Sequence, residues 1–300
     1  MLDFIDEHRE AYGVESICSQ LPIAPSTYYK SVELNAHPDK RSKRAKTDES
    51  LSKRILEIWE ANYRVYGNRK IWRALLREGW DVARCTVARL MNTLEISGRS
   101  RGKKVITTNS DQKAECPKDL VNREFRAEQP NELWVADYTY VSTWQGFAYV
   151  AFVIDTYADR IVGWKLSTSQ TTDFVLDALE QALNDREVTA DSLIHHSDRG
   201  SQYVSVAYTN RLNDAGVKPS VGTVGDSYDN ALAETINGLY KTELVHNLGP
   251  WKSTQALELA TLNWVHWYNH KRLLGAIGYV PPAEYENLYY LSELQHTVAA

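Results

Sequence analysis

Apolar and polar residues follow two different periods in the two parts of this chain. Between residues 49 and 90, apolar side chains recur at every third or fourth position, with breaks at Gly67 and Gly79. That spacing predicts three short helices joined by tight turns. From Leu133 to Val141 every second residue shares one face of an extended chain, and residues 147–154 form an unbroken apolar run. Both patterns indicate strands, the second of them buried.

The order of the later elements predicts an α/β fold. A third strand at Arg160–Ser167 follows the first two, and a helix is expected at residues 172–186. The remaining elements alternate between strand and helix. They are a strand in SLIHHSD, a helix at 204–215, a strand at KPSV and long helices at 228–246 and 253–270. Because neither GxGxxG nor GxxxxGK[ST] occurs, a nucleotide-driven mechanism has no support in the sequence.

These patterns divide the chain into six predicted segments. In order they are a short helical N-terminal segment, a basic linker, a helix-turn-helix module, a connector, a sheet-containing core and a C-terminal helical extension. Their bounds are 1–39, 40–48, 49–104, 105–129, 130–246 and 247–300.

Charge is distributed unevenly, although the net charge of the whole chain is only −5. Residues 40–104 contain 18 basic and 7 acidic side chains, whereas the segments before and after them are both acidic. A basic block between two acidic ones is typical of a module that binds a polyanion. Charge alone leaves a second interpretation open, which is a solvated helical face rich in Lys and Arg.

Three short helices that carry this charge are typical of a helix-turn-helix, whose last helix enters the major groove of DNA. We expect that helix to project Arg84, Thr86 and Arg89 toward the DNA. Arg69 and Lys70 lie in the preceding helix and are further candidates for DNA contacts. Any three-helix bundle has a similar pattern, and the positive charge is what favours DNA binding here.

Three carboxylates stand at positions where a charge is unusual. Asp137 interrupts the apolar face of the first strand, Asp198 follows the fourth strand, and Glu234 lies in the next long helix, with 35 residues between the last two. Mg²⁺ binds carboxylates together with water and phosphate oxygens. The set therefore indicates a divalent-metal site for phosphoryl transfer. Taken singly, each acid also fits a surface or capping role.

The order and spacing of five segments make this chain resemble OrfB, the second-reading-frame product of insertion sequence family three transposases, which are related to retroviral integrases. The segments span about residues 60–286 and read YGNRKIWRALLREG, LWVADYTYV, IHHSDRGSQYVS, VGDSYDNALAETINGLYKTELV and WVHWYNHKRLLGAIGYVPPAEYE. The resemblance implies a ribonuclease H-like mixed five-stranded sheet with flanking helices. It also implies that Asp137, Asp198 and Glu234 form the DDE triad and bind two Mg²⁺ ions, for which Mn²⁺ substitutes.

The resemblance also assigns a role to Lys241, the family's basic residue seven positions after the Glu. Seven residues advance an α-helix by about 700°, which returns Lys241 to the face of Glu234. We therefore expect it to contact phosphates of the DNA end. An exposed lysine that pairs with Glu243 or Asp226 is the alternative.

Two features depart from the family pattern. Leu274 stands where the family often has a His after Arg-Leu, so any role of that His does not transfer to this chain. The chain also starts at Met1 without the upstream frame, OrfA, to which the family usually joins it by ribosomal frameshifting. We expect OrfA to act as a fusion or a partner.

Other polar residues beside the acids have two interpretations each. Gln202 follows Asp198 at a loop-to-helix junction, where free N–H groups suit phosphate contacts. Of His195 and His196, strand alternation places only one on the metal side, and we take His196 as the candidate that supports the site; ordinary packing is the alternative. Asn230 lies four residues before Glu234 and either supports the site or caps the helix.

The function predicted from the sequence is that of a DNA transposase catalytic subunit, which cleaves insertion-sequence ends and joins the 3′-OH to target DNA. Its expected partners are double-stranded DNA, as terminal inverted repeats and target, and further copies of itself on that DNA. We expect a cytoplasmic, nucleoid-associated bacterial protein. A ribonuclease H-type nuclease and a non-catalytic DNA-binding protein derived from a transposase are the alternatives.

Overall fold

The computed structural model describes residues 1–100, 127–198, 200–221 and 231–299. Helices form the described chain before residue 100, and a sheet with flanking helices forms it after residue 127. The helices before the sheet are α1 Leu2–Tyr12, α2 Val14–Gln20, α3 Pro25–Ala36, α4 Lys43–Ala61, α5 Asn68–Arg77 and α6 Arg84–Thr93. The later elements are β1 Leu133–Thr143, β2 Gly146–Asp155, β3 Arg160–Ser167, α7 Thr172–Asp185, β4 Ile194–Ser197, α8 Val206–Asp214, β5 Lys218–Val221, α9 Ala231–Tyr240, a π-helical turn Lys241–Val245, α10 His246–Leu248, α11 Thr254–His270 and α12 Pro282–Ala299.

The chain forms two compact units. The first consists of Met1–Glu57 and Cys85–Ile96, and the second of Ile58–Arg84 and Ser97–Ala300. The predicted helix-turn-helix segment 49–104 therefore contributes to both units. In the first unit, α1, α2 and α3 enclose a small apolar core around the buried side chains Ile5, Ile17, Cys18 and Tyr28.

Helix α4 begins earlier than the sequence pattern predicts. It starts at Lys43, so most of the basic segment 40–48, which we predict to be a linker, is helical. The Oγ of Ser42 accepts a hydrogen bond of 3.2 Å from the N–H of Ala45, which caps the helix. Lys, Arg and Ala are all good helix formers. The linker prediction gave weight to the charge of this segment and too little to its helix propensity.

The sheet has the strand order β3-β2-β1-β4-β5. Strands β1, β2 and β3 are antiparallel neighbours, whereas β4 pairs parallel to β1 and β5 pairs parallel to β4. The two parallel pairings require crossovers, and α7 and α8 supply them. An antiparallel meander continued by two parallel strands is the ribonuclease H-like topology, which confirms the predicted fold class.

Helices cover both faces of this sheet. On one face Trp134 and Ala136 of β1 pack with side chains of α7 and α8 in a single apolar cluster. On the other face the ring of Phe152 lies 5.2 Å from that of Tyr240 in α9 and 6.1 Å from that of Trp264 in α11. Successive strand residues point to opposite faces. Asp137 therefore faces α9, on the side opposite Ala136.

None of the helices in the described ranges combines the length and the apolar character that a membrane span requires.

Candidate active site

Two of the three predicted acids lie side by side on the neighbouring inner strands β1 and β4. In the parallel pairing of β1 with β4, Ala136 is the partner of Ser197. Asp137 directly follows Ala136, and Asp198 directly follows Ser197. Neighbouring strands run about 4.8 Å apart. The register therefore brings both carboxylates to the same place, as the sequence pattern predicts.

Helix α9 packs on β1 and carries the third acid, Glu234, on the same side of the sheet as Asp137. The side-chain amide nitrogen of Asn237 donates a hydrogen bond of 2.9 Å to Oδ2 of Asp137. Glu234 lies three residues earlier, and residues three apart share a helix face. Glu234 is therefore carried on the face that Asn237 fixes against the strand.

Burial and the neighbouring negative charges change the ionisation of Asp137 and Asp198. Burial raises the pKa of Asp137 to about 8, and the negative charge of Asp198 adds to this. The N–H of Tyr138 and the amide of Asn237 lower the pKa of Asp137, and the charge of Glu234 raises it. Burial raises the pKa of Asp198, and the charge of Glu234 raises it further. Carboxylates that oppose each other's ionisation in this way are suited to share a cation.

The loop after β4 is built around Asp198. The N–H of Gly200 donates a hydrogen bond of 2.9 Å to Oδ1 of Asp198 and lowers the pKa of that carboxyl. A side chain at position 200 would place its Cβ 3.0 Å from the same oxygen, which is tighter than ordinary contact. Position 200 therefore favours glycine, because a larger residue would require the carboxylate to shift by a few tenths of an ångström.

Gln202 lies inside this loop. Its side chain is only 8% exposed, and its Oε1 accepts hydrogen bonds from the hydroxyl groups of Tyr138 and Ser201. Its Nε2 donates to the carbonyl of Gln170. The contact of Gln202 with DNA stays a prediction, and in the structure its amide ties the loop to the sheet.

The two histidines of β4 point to opposite faces of the sheet. The Nε2 of His195 lies 3.1 Å from the hydroxyl of Tyr208 in the apolar cluster. The Nδ1 of His196 lies 2.8 Å from Oγ of Ser220 in β5, and the charge of His196 lowers the pKa of Asp198. His196 is therefore the histidine on the face of the acids. Its supporting role stays a prediction, and Asn230 lies outside the described residues.

Lys241 lies between the acids and an exposed aromatic ring. Its Nζ is 4.9 Å from the centroid of the Tyr140 ring. Burial lowers the pKa of Lys241, and the charge of Asp137 raises it. Pairing with Glu243, the alternative considered from the sequence, does not occur because Glu243 binds Arg272 instead. Asp226, the other alternative partner, lies outside the described residues.

A buried ion pair holds the π-helical turn that begins with Lys241. Arg272 and Glu243 have side chains only 5% and 7% exposed, and their closest atoms, Nη2 and Oε1, are 2.5 Å apart. A second bond of 2.9 Å joins Nε of Arg272 to Oε2 of Glu243. The paired, planar geometry fixes the turn against the end of α11.

The other DNA-binding candidates lie in α5 and α6. Arg69 and Arg84 are exposed. Thr86 is partly buried, and Arg89 donates two hydrogen bonds, of 2.8 and 2.9 Å, to the carboxylate of Asp48. Lys70 Nζ lies 5.1 Å from the centroid of the Tyr66 ring, and burial lowers its pKa to about 7. The DNA contacts of all five residues stay predictions.

The donor atoms at the acids fit a hard divalent cation. Carboxylates and neutral carbonyl oxygens are the ligands of Mg²⁺. The site offers both, since the buried Oδ1 of Asn237 has no hydrogen-bond partner within the described structure. In the described residues, however, no three His, Cys, Asp or Glu side chains form a ready-made cage for one ion. The carboxylates of Asp137 and Asp198 are the adjacent pair from which an ion site could be built.

Asn237 and Gly200 are two site residues that the sequence reasoning missed. The signal for Asn237 was its position three residues after Glu234, in a helix whose neighbouring positions Ala233, Ile236 and Tyr240 are apolar and buried. A polar residue on such a face requires a partner. Gly200, two residues after the acid, carried no comparable signal.

Family comparisons agree with this geometry. Residues 127–227 and 215–282 match integrase core domain families, and residues 46–104 match an HTH-like domain family. A transposase for insertion sequence element IS629 from Shigella sonnei is 58% identical over 292 residues, which are 97% of each chain. A putative transposase for IS986/IS6110 from Mycobacterium tuberculosis is 54% identical over 274 residues, covering 90% of this chain and 97% of that one.

The catalytic core domain of HTLV-2 integrase in complex with magnesium aligns with a TM-score of 0.44 and 17% identity, over 54% of this chain and 99% of that one. This chain belongs to the insertion sequence family three transposases, which are DNA transposases of the DDE type, as its identity to the two transposases, the matched families and the strand topology show.

Proposed function

We propose that this chain cleaves DNA at the ends of an insertion sequence and joins the resulting 3′-OH to target DNA by metal-dependent phosphoryl transfer. The observation that carries the proposal is that Asp137, within β1, and Asp198, just after β4, are neighbours in the parallel pairing of these strands, with the charge of Glu234 acting on both. Membership of the transposase family supports the same assignment.

The reaction has two chemically similar steps. Water first attacks the phosphorus at the end of the element, and the bond from phosphorus to the 3′-oxygen breaks, which leaves a 3′-OH. This hydroxyl then attacks a phosphodiester of the target, where a second bond to a 3′-oxygen breaks as the new one forms. One phosphodiester is exchanged for another in the second step, so the joining needs no ATP and no covalent enzyme intermediate.

Asp137, Asp198 and Glu234 are the residues that would hold the metal, which we propose to be two Mg²⁺ ions with Mn²⁺ as a substitute. Bound ions of this kind supply activation of the attacking oxygen and stabilisation of the leaving one. Asn237 keeps Asp137 in place, and the N–H of Gly200 orients Asp198.

The basic residues of the first hundred positions bind the DNA backbone in this proposal. Arg69 and Arg84 are exposed, as such contacts require. Replacing either with Gln in the full chain should reduce the slope of log affinity against log salt by about 0.9 for each lost phosphate contact. The full chain is needed because Ile58–Arg84 forms part of the second compact unit and cannot be deleted cleanly.

The finer partners belong to the same proposal. Joining two ends of one element requires more than one active site, so we infer that several copies assemble on the DNA. OrfA is the proposed upstream partner, as a fusion or a separate protein. Because the proposed substrate of this chain is DNA, we propose that the protein acts at the bacterial nucleoid, in the cytoplasm.

Labelled terminal-repeat DNA tests the proposal directly. We expect the chain, incubated with Mg²⁺ or Mn²⁺ and with or without OrfA, to produce a nick that carries a 3′-OH and then a strand-transfer product. An RNA–DNA hybrid serves as the control substrate. Cleavage of the hybrid in preference to the terminal repeat, or no cleavage of either under all these conditions, contradicts the proposal.

A further inference from the structure

Three large aromatic side chains are exposed on the hairpin that joins β1 to β2. Tyr140 is 47% exposed, Trp144 is 69% exposed and Phe147 is 56% exposed. The rings of Tyr140 and Phe147 meet edge to face with centroids 5.6 Å apart. A cluster of exposed apolar rings marks a binding surface more often than it marks chance.

The hairpin is held rigidly, so its rings are presented in fixed positions. The N–H of Trp144 donates to the carbonyl of Trp251 over 3.0 Å, and the N–H of Thr254 donates to Oε1 of Gln145 over 3.1 Å. Trp251 in turn donates from its indole nitrogen to the carbonyl of Val245, over 3.1 Å. Val245 ends the π-helical turn that begins at Lys241, so this turn and the hairpin share one scaffold.

Two lysines stand over these rings. Lys241 Nζ is 4.9 Å from the Tyr140 ring centroid, and Lys252 Nζ is 5.8 Å from that of Trp144. Ammonium groups beside exposed aromatic faces match a ligand that carries both anionic groups and flat rings. Nucleic acid strands have this chemistry, with phosphates for the lysines and base faces for the aromatics.

The ligand must be unpaired for these rings to be used. Bases within a duplex cover each other's faces, and only extruded or single-stranded bases offer a face for stacking. Lys241 connects these rings with the acids, because the charge of Asp137 acts on it and its Nζ lies 4.9 Å from the centroid of the Tyr140 ring. Tyr140 itself lies three residues beyond Asp137 on β1, about 10 Å along the strand and on the opposite face.

We propose that Tyr140, Trp144 and Phe147, with Lys241 and Lys252, form a platform that binds unpaired nucleotides of the DNA strand next to the catalytic acids. Bases stack on the rings, and the adjoining phosphates contact the lysines. The inference rests on the proposed function for the identity of the DNA as substrate, and it adds a site for unpaired bases.

The test compares single-stranded and duplex DNA as probes of the full chain. Fluorescence anisotropy in EDTA gives Kd for a short labelled oligothymidylate and for a duplex of the same length. Stacking on one aromatic ring is worth enough that Trp144→Ala should weaken oligothymidylate binding by at least about fivefold. Duplex binding should stay within about twofold of wild type. Tyr140→Ala should act in the same direction, and Trp144→Phe should retain most of the affinity.

Tyr12→Ala is the matched control, because Tyr12 is also an aromatic residue that is 69% exposed. It should change neither Kd. If Trp144→Ala and Tyr140→Ala both leave oligothymidylate binding within about twofold, or weaken duplex binding equally, the proposal is overturned. A changed oligomeric state of Trp144→Ala in sedimentation, with unchanged oligothymidylate affinity, also overturns it and assigns the rings to a contact between copies.

These outcomes are separate from the fate of the proposed function. Binding in EDTA requires no cleavage, so an inactive wild-type protein would contradict the proposed reaction and leave the platform result standing. Normal cleavage by wild type, together with unchanged single-strand binding in the variants, would support the proposed reaction and overturn the platform.

Discussion

The side-chain amide of Asn237 donates a hydrogen bond of 2.9 Å to Oδ2 of Asp137 and thereby joins α9 to β1. The other carboxylate oxygen of Asp137, Oδ1, accepts the N–H of Tyr138 over 2.8 Å. The orientation of the first acid is therefore fixed from both sides. The same bond fixes the rotation of α9, and with it the position of Glu234.

We predict that Asn237→Ala slows DNA cleavage at least about tenfold, because hydrogen bonds to charged groups are worth about 1.5–3 kcal/mol. The variant should also need more Mg²⁺ to reach half of its maximal rate, because Asp137 loses its fixed orientation. Rates measured across a Mg²⁺ titration give both quantities. Asn213→Ala, at an exposed position of α8, is the control. A rate within about threefold of wild type with unchanged Mg²⁺ dependence would exclude the positioning role.

Lys241→Ala should weaken complex formation on terminal-repeat DNA and slow cleavage without a change in metal requirement. Lys241→Arg should restore part of the activity, since it keeps the charge but not the compact ammonium geometry. Lys218→Ala is the control, because that side chain is exposed at the start of β5, outside the basic segment 40–104. A cleavage rate of Lys241→Ala within about threefold of wild type at saturating Mg²⁺ would show that the lysine is dispensable.

Arg272→Met should destabilise the protein by about 3–5 kcal/mol, because it leaves the carboxylate of Glu243 buried without its partner. Adding Glu243→Leu should recover much of this loss. Urea unfolding measures both effects. Arg64→Met is the control, since the pair of Arg64 with Glu60 is exposed, and it should cost less than about 1 kcal/mol. Equal losses for Arg272→Met and Arg64→Met would contradict the account of the buried pair.

Acid should destabilise the fold through His195. Burial lowers the pKa of His195 from its usual 6.5 to about 3, so the unfolded chain binds a proton between these values and the folded chain does not. The stability that depends on neutral His195 is complete above pH 6.5 and is lost as the pH falls toward 3.

The free energy of unfolding is measured at about pH 7.5 and about pH 5.5. It should fall between these values, and the fall should be about 1.4 kcal/mol smaller in His195→Gln than in wild type. His37→Gln, at an exposed position, should leave the loss unchanged. Equal pH dependence of wild type and His195→Gln would mean that the folded protein accepts a proton at this histidine.

Much of the fold could be predicted from the sequence, because local periodicity determines where strands form. The observed β3 and β5 have the predicted bounds, and the apolar run at 147–154 lies within β2, which is buried throughout from Val150 onward. The predicted start of α4 at residue 49 is wrong, because the cap at Ser42 and the helix propensity of the following residues allow the helix to begin at Lys43. Charge predicts what a segment binds more reliably than whether it is helical.

The site was less predictable from the sequence than the fold. The acids Asp137 and Asp198 stood out because a strand pattern exposes a misplaced charge. Asn237 did not, because its role depends on a contact with β1 a hundred residues away. The contact of Lys241 with Tyr140 was also missed. Helical geometry predicts the face that carries Lys241, but not the hairpin that packs beside it.

The most direct test of the account is strand cleavage and strand transfer by Asp137→Asn, Asp198→Asn and Glu234→Gln, measured with gel-shift assays on the same preparations. Each substitution keeps the size of the side chain and removes the charge that a divalent ion requires. The account predicts that all three variants bind terminal-repeat DNA about as well as wild type and produce neither cleavage nor transfer products. Near-normal cleavage by any one of them would contradict the assignment of that residue to the metal site.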